Sequence, residues 1–225
     1  MSTLSGGPNI VTNGLVLSLD AANTKSYTSG STAWKDISKT AGITTLINGP
    51  TFSGANGGSI VFDGVDDYAN TTYTPPVSNF TINIIYKCTT FAPWAGLWAC
   101  EIWNNSSGYL AYFATISTLV FSRGGGAQMS VTADSTTLKY YTFSLDSSGV
   151  GKIYINGILQ SSDPIIGLSS SVEKPIILST RYSNNGTGIT DTRASIIPLL
   201  SVYNRVLTAS EVLQNFNATK TRFGL

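Results

Sequence analysis

The chain has 225 residues, a net charge of +1 and only 11% charged residues, against about 25% in an average soluble domain. A binder that works by neutralising a phosphate backbone needs a basic surplus, and the chain has none, so no nucleic-acid partner is expected. No apolar run approaches the roughly 18 residues of a membrane helix, so no membrane partner is expected, and the length suits one large all-β domain that folds without a metal or disulfide staple.

Taken in chain order, Met1–Pro8 has neither the positive region nor the apolar core of a signal peptide. This predicts synthesis in a cytoplasm and no export by that route. Residues 1–13 read as an N-terminal extension, a candidate anchor, ahead of a single domain over 14–225. Strands are predicted at Leu15–Leu19 and Ser59–Phe62. Asp63-Gly64-Val65-Asp66-Asp67 then has the composition of a tight polar turn. Its three closely spaced carboxylates, Asp63, Asp66 and Asp67, also make it a candidate calcium site, because hard cations take several oxygens. The loop lacks the acidic alternation of an EF-hand, and no other cofactor is indicated.

Phe80, Ile82, Ile84, Tyr86 and Cys88 alternate with Thr81, Asn83, Ile85 and Lys87, the period of a strand with two different faces. Trp94, Trp98 and Trp103 follow within ten positions, and then Tyr109 and Tyr112. Aromatic faces stack on sugar rings, so Trp94, Trp98, Trp103 and Tyr109 are candidate glycan-binding residues. The same rings can equally fill a core or a subunit interface. Cys88 and Cys100 are too few for a disulfide framework and are expected as free buried thiols. They would face each other if Phe91–Ala95 were a hairpin turn. Further strands are predicted at Tyr109–Thr115, Leu119–Ser122, around Tyr141–Leu145 and at Ile176–Thr180, and Gly124–Gly126 reads as a plain strand connection. Ile153-Tyr154-Ile155 before Asn156-Gly157 is a strong hairpin signal, since both turn residues accept positive φ. Ser195–Tyr203 is a strand whose Pro198 marks a sheet edge or a bulge. Thr208-Ala209-Ser210-Glu211 is a capping box. It opens a helix from Ala209 to about Thr219, with Val212, Leu213 and Phe216 as its packing stripe.

Many short strands, one late helix and no βαβ alternation predict an all-β fold, a two-sheet antiparallel sandwich. The residue inventory argues against an enzyme. With no histidine, Ser-His-Asp and Cys-His arrangements cannot be built. The glutamates are Glu101, Glu173 and Glu211, and no strand presents the Glu-x-Asp pair that glycoside hydrolysis on such a sandwich requires.

Three stretches carry a resemblance. They are Gly6–Asn23 with Trp34-Lys35-Asp36-Ile37-Ser38, then Asn48–Phe52 with Gly57–Tyr68, and Val202–Thr208 with Asn215-Phe216 and Arg222–Leu225. The sequence resembles the laminin-G-like, concanavalin-A-type jelly-roll domains, and among them those in structural proteins of tailed phages, especially of marine cyanobacteria. Lys39–Thr45 departs from the Gly/Asn-rich turn usual there. The resemblance implies a non-enzymatic virion protein, a decoration or accessory protein of head or tail, made in a host cytoplasm. Its implied partners are other virion proteins, with a homo-oligomer expected on a symmetric particle. The alternative is a carbohydrate-binding adhesin recognising host surface glycans.

Overall fold

The alternating apolar pattern resolves into two stacked sheets in a computed structural model that describes residues 9–40, 42–164 and 167–225. The chain begins with β1 (Leu15–Asp20), β2 (Ala33–Lys35), β3 (Ile43–Ile47), β4 (Thr51–Ser53), β5 (Ser59–Asp63) and β6 (Tyr68–Asn70). It continues through β7 (Phe80–Cys88), β8 (Ala95–Ala99), β9 (Tyr109–Thr115), β10 (Thr118–Arg123), β11 (Gln128–Thr132) and β12 (Lys139–Leu145). Then come β13 (Gly151–Ile155), β14 (Ile158–Asp163), β15 (Ile177–Leu178), β16 (Arg181–Tyr182), β17 (Ile189–Thr190) and β18 (Ala194–Tyr203), followed by α1 (Ala209–Phe223).

The first sheet has the order β14-β13-β12-β7-β18-β5-β4, with β1 also paired to β18. The second has the order β11-β10-β9-β8-β15-β6-β3-β2, and β16 with β17 makes a separate two-stranded ribbon. This is the two-sheet antiparallel jelly-roll sandwich that the sequence predicts. The faces of β7 fall as its alternation requires, with Phe80, Ile82, Ile84, Tyr86 and Cys88 in the inter-sheet core and Ile85 on the opposite side. Rings bridge the two layers. Trp98 of the second sheet lies 5.7 Å from Phe143 of the first, and Phe113 lies 6.0 Å from Tyr141. Each such pair adds about 0.5–1.5 kcal/mol beyond the area it buries.

Local signals in the sequence are realised with specific geometry. Asn156 and Gly157 both have positive φ, 51° and 80°, and join β13 to β14 as a primed turn. Pro198 lies in β18, inside the sheet between β7 and the β5/β1 side, where the ladder to β7 shifts register between Ile196 and Leu199. Of the two options for that proline, the structure has the bulge. Asp36, from the Trp-x-Asp-x-Ser segment, accepts from the Ser18 and Ser38 amides at 2.8 and 2.7 Å, and from the hydroxyls of Ser38 and Thr40. Burial pushes its carboxyl up, but those bonds from Ser38, Ser18 and Thr40 outweigh burial and hold it below the usual carboxylate range.

The capping box forms as expected, with Thr208 Oγ1 accepting from the Glu211 amide and the Glu211 side chain accepting from the Thr208 amide. Arg205 grips Glu211 from outside with two bonds of 2.6 and 2.9 Å. The helix runs one turn past Thr219, to Phe223, and ends on Gly224 at φ 68°. Its buried face is Val212, Asn215, Thr219 and Phe223, while Leu213 is 44% exposed. The expected stripe is therefore corrected: Leu213 lies off the packing line because the contact follows i, i+3, i+7 and i+11 from Val212. Asn9–Asn13, the described part of the extension, lies against this helix. Asn215 Oδ1 accepts from the Val11 amide, and Tyr203 Oη donates to the Val11 carbonyl at 2.8 Å. Met1–Pro8, the rest of the candidate anchor over 1–13, lies outside the described residues.

Cys88 and Cys100 are free and buried. They are not cross-strand neighbours, because β7 and β8 belong to opposite sheets and Phe91–Trp94 crosses between layers rather than turning a hairpin. Among the described residues no helix is long and apolar enough to cross a membrane.

Candidate functional site

Strand parity sorts the aromatic cluster. Along β9, Tyr109, Ala111 and Phe113 point into the inter-sheet core, and Leu110 and Tyr112 join a cluster on the outer face of the second sheet. Val120 of β10 and Ser130 of β11 sit opposite Tyr112 on the same rung. The outer face of the first sheet is packed by α1, through Ile85, Tyr140, Leu199 and Phe223. The outer face of the second is covered only in part, by the ribbon β16–β17. Gly96 lets that ribbon approach β8, because a Cβ there would stand 2.8 Å from the Thr180 carbonyl oxygen.

A groove of about 400 Å³ remains beside the ribbon, walled by Trp94, Trp103, Tyr112, Val120, Gln128 and Ser130 among others. Trp94 is 47% exposed and lies 5.2 Å from Tyr112, centroid to centroid, with the planes 32° apart. Tyr112 Oη donates to Gln128 Oε1 at 3.1 Å, and burial raises the phenol, so it stays protonated. Trp94 has φ 66°, a left-handed conformation that bulky residues rarely adopt. Asp191, just after β17, and Ser106, three residues after Trp103, are also left-handed at φ 57°. Strain of this kind gathers where a side chain must be held in a particular place.

The predicted glycan residues therefore divide. Trp94 and Trp103 come together at the groove with Tyr112. Trp98 and Tyr109 do not join them, since both are fully buried between the sheets. Trp98 packs on Phe121 and Phe143, at 5.9 and 5.7 Å. Tyr109 is a core tie whose hydroxyl donates to the Val77 carbonyl and accepts from the Ser169 amide. Sequence reading missed Arg181, Asn104 and Gln128. The first two come from segments with no motif, and only the paired sheet brings Gln128 beside Tyr112.

Arg181 opens the ribbon. Its guanidinium carbon stands 5.9 Å from the Trp94 ring centroid, and its Nε donates to Asp191 Oδ2 at 2.8 Å. Arg193 holds the other oxygen of Asp191 at 3.1 Å. A second cavity of about 380 Å³, lined by Asn104, Arg181, Ser183, Asn184, Asn185 and Thr190, lies on the far side of Arg181. Beneath the ribbon Glu101 is fully buried, and neither carboxylate oxygen has a hydrogen-bond partner. Burial raises it to about 8 against the pull of its own amide and of Arg181, with Asp191 adding to the rise. Its neutral form is the favoured one at pH 7.

The remaining carboxylates serve other purposes. Glu211 is held in the helix cap, and Glu173 accepts from the Ser171 hydroxyl. Asp63, Asp66 and Asp67 each place a carboxylate oxygen within 4.8 Å of the others. Asp63 Oδ1 caps the Val65 amide and Asp67 Oδ2 the Asp63 amide, as the polar-turn reading requires. Burial raises Asp67 most, the Asp63 amide opposes it, and the charges of Asp63 and Asp66 add to it. A hard cation would relieve that crowding, and the donor set is of the right chemistry for one. A separate groove of about 420 Å³ between β2 and β4 carries one ring pair, Tyr27 and Phe52, but only Phe52 is exposed there.

No protein-family model matches this sequence, and no curated protein matches it. Solved structures match the fold. The receptor-binding domain of botulinum neurotoxin type G is 15% identical with a TM-score of 0.67, covering 91% of this chain and 51% of that one. The serotype D ligand-binding domain, solved in complex with N-acetylneuraminic acid, is 13% identical with a TM-score of 0.67, covering 92% and 51%. Trypanosoma rangeli sialidase in complex with the inhibitor DANA is 14% identical with a TM-score of 0.68, covering 97% and 36%. This chain thus spans about half the length of the toxin domains and about a third of the sialidase. At these identities the likeness establishes a β-sandwich and nothing finer.

Proposed function

We propose that this protein is a non-enzymatic carbohydrate-binding module whose ligand lies in the groove of Trp94, Trp103 and Tyr112. The observation that carries the reading is Trp94: exposed, backed by Tyr112, and held in a left-handed backbone over a groove edged with Gln128, Ser130 and Thr118. An aromatic platform with a few polar groups at its rim is the usual make-up of a small-molecule site that must grip both the apolar face and the hydroxyls of a sugar. A solved neighbour that holds N-acetylneuraminic acid supports this alternative over a purely structural role. The test is a glycan array followed by titration, with Trp94→Ala and Trp103→Ala as variants. Binding lost in both variants is expected. A wild type that binds no sugar at millimolar concentration would overturn the reading.

The virion location is a second proposal, and the three resembling stretches at both ends of the chain support it. A decoration or accessory protein on a phage head or tail, in several copies, could present this groove to a host surface. Mass spectrometry of purified particles tests it, and absence from the particles rejects it. Calcium at Asp63, Asp66 and Asp67 is a third, supported by their 4.8 Å grouping. Added calcium should then raise Tm and a chelator lower it, by mass action on the folded state. A Tm indifferent to both leaves the turn with its capping role alone.

A further inference from the structure

The cavity beyond Arg181 has an unusual balance of hydrogen-bonding groups. Asn184 Oδ1 accepts from Arg181 Nη2 at 3.3 Å, and Asn185 Oδ1 accepts from the Thr187 amide at 3.1 Å and from the Ser183 and Thr187 hydroxyls. Arg181 and the Thr187 amide are obligatory donors, so these contacts fix which end of each side-chain amide is oxygen. Both oxygens are engaged. The Nδ2 groups of Asn184 and Asn185 donate to no partner among the described residues, and Asn104 makes no side-chain hydrogen bond there. Arg181 uses Nε and Nη2, which leaves Nη1 without a partner among the described residues. The free donors of the cavity (Arg181 Nη1 and the Nδ2 groups of Asn104, Asn184 and Asn185) thus outnumber its free side-chain acceptors among the described residues, the Asn104 oxygen and the Thr190 hydroxyl.

Its charge balance has the same sign. Arg181 and Arg193 share the single carboxylate of Asp191. Glu101, a further acid beneath the ribbon, is buried without a hydrogen-bond partner among the described residues, and burial favours its neutral form. One positive charge is therefore left over, on side chains only 14% and 17% exposed, where screening is weaker than on an open surface. The cavity also adjoins the aromatic groove. Arg181 lines one and faces the Trp94 ring of the other, and Trp103 and Asn104 are consecutive residues with one in each lining.

We propose that this cavity is an anion subsite, in which Arg181 and the amides of Asn104, Asn184 and Asn185 hold the carboxylate of an acidic saccharide whose neighbouring ring stacks on Trp94. The ligand class is a glycan bearing a uronic or sialic acid unit. The inference rests on the glycan reading above and adds charge selectivity to it.

The test compares ligands that differ in the acid alone: methyl β-glucuronide against methyl β-glucoside, and sialyllactose against lactose, each titrated into the full-length chain. One charge-assisted, two-point contact predicts that the acidic member of each pair binds about tenfold tighter. Arg181→Gln should bring the ratio of affinities in each pair close to one. Asn185→Asp, which keeps the oxygen that Thr187 needs but places a negative charge in the cavity, should turn the preference toward the neutral sugar. Circular dichroism and Tm confirm that both variants fold, and Asn185→Asp keeps the Arg181–Asp191 pair intact should Arg181→Gln unfold. Equal affinity for acidic and neutral members, or a preference unchanged in both variants, overturns the anion subsite and leaves the glycan reading standing. No binding of either member overturns both.

Discussion

Trp94 and Trp98 stand four residues apart at the entry to the same strand, yet one is 47% exposed and the other fully buried. Tyr109 and Tyr112 repeat the contrast one strand over, with Tyr109 tied into the core and Tyr112 forming the floor of the groove. The difference is not one of residue type. Parity decides it on β9, and on β8 a register shift between Gly96 and Trp98 turns the tryptophan inward. The two faces of the second sheet then meet different neighbours: a complete layer of strands on the inside, and on the outside a two-stranded ribbon that stops short. Rings on the inner face hold the sandwich together, whereas those on the outer face leave an opening of ligand size.

The largest expected effect separates the two tryptophans. Trp98→Ala removes a ring packed between Phe121 and Phe143 and should cost about 3–5 kcal/mol in urea unfolding. Trp94→Ala should cost less than about 1 kcal/mol while abolishing sugar binding. Equal losses of stability would mean that the groove is part of the core and that the contrast between faces is false.

Much of the first face was legible in the sequence and much of the second was not. Period-two alternation located β7, β9, β10, β12 and β18, Asn156-Gly157 gave the hairpin, and Thr208 with Glu211 gave the helix start, because each depends on residues close in the chain. Pro198 indicated an irregularity, and only the neighbouring strands could make it a bulge rather than an edge. The groove needs three things that no local pattern carries: a register shift in β8, the crossing of Phe91–Trp94 from one sheet to the other, and the docking of β16–β17 far along the chain. For that reason Trp98 and Tyr109 stand with Trp94 and Trp103 as candidates when only the chain is read, and Arg181 gives no signal at all. Glu101 was likewise an unremarkable acid until the ribbon closed over it.

Glu101 offers the next largest effect and probes the closure of the outer face. Its carboxyl ionises near its ordinary value of 4.5 in the unfolded chain but only at about 8 when folded. The unfolded state thus releases the proton first. Stability from this group is complete below pH 4.5, falls by about 1.4 kcal/mol per pH unit above it, and stops falling past about pH 8, a loss of a few kcal/mol in all. Glu101→Gln keeps a buried polar group but does not titrate, so its stability should part from that of the wild type across this window. Parallel curves would mean that water reaches Glu101 and that the ribbon does not seal this part of the sheet.

On the first sheet the covering element is the helix, and its cap provides a milder test with the opposite sign. Glu211 is held down to about 2, first by Arg205, against burial, and then by the Thr208 amide and hydroxyl. Its contribution is present above pH 4.5 and is lost as pH falls through about 2. Thr208→Ala should remove about 1 kcal/mol at neutral pH. Glu211→Gln should flatten the acid limb of the stability curve, as measured by urea midpoints. Neither substitution should alter sugar affinity, because the helix and the groove lie on opposite outer faces of the sandwich.

The smallest effect on stability is the most informative about the groove. Trp94 adopts φ 66°, which costs a bulky side chain about 1–3 kcal/mol and glycine almost nothing. Trp94→Gly therefore removes the same ring contacts as Trp94→Ala but also relieves the backbone, and should be the more stable of the two by up to about 1 kcal/mol. Both should lose binding equally. If the glycine variant is no more stable than the alanine variant, the left-handed turn is not strained, and the tryptophan is tolerated there rather than held. If it is more stable, the left-handed backbone at residue 94 is strained for any side chain, and the tryptophan is kept there against that cost.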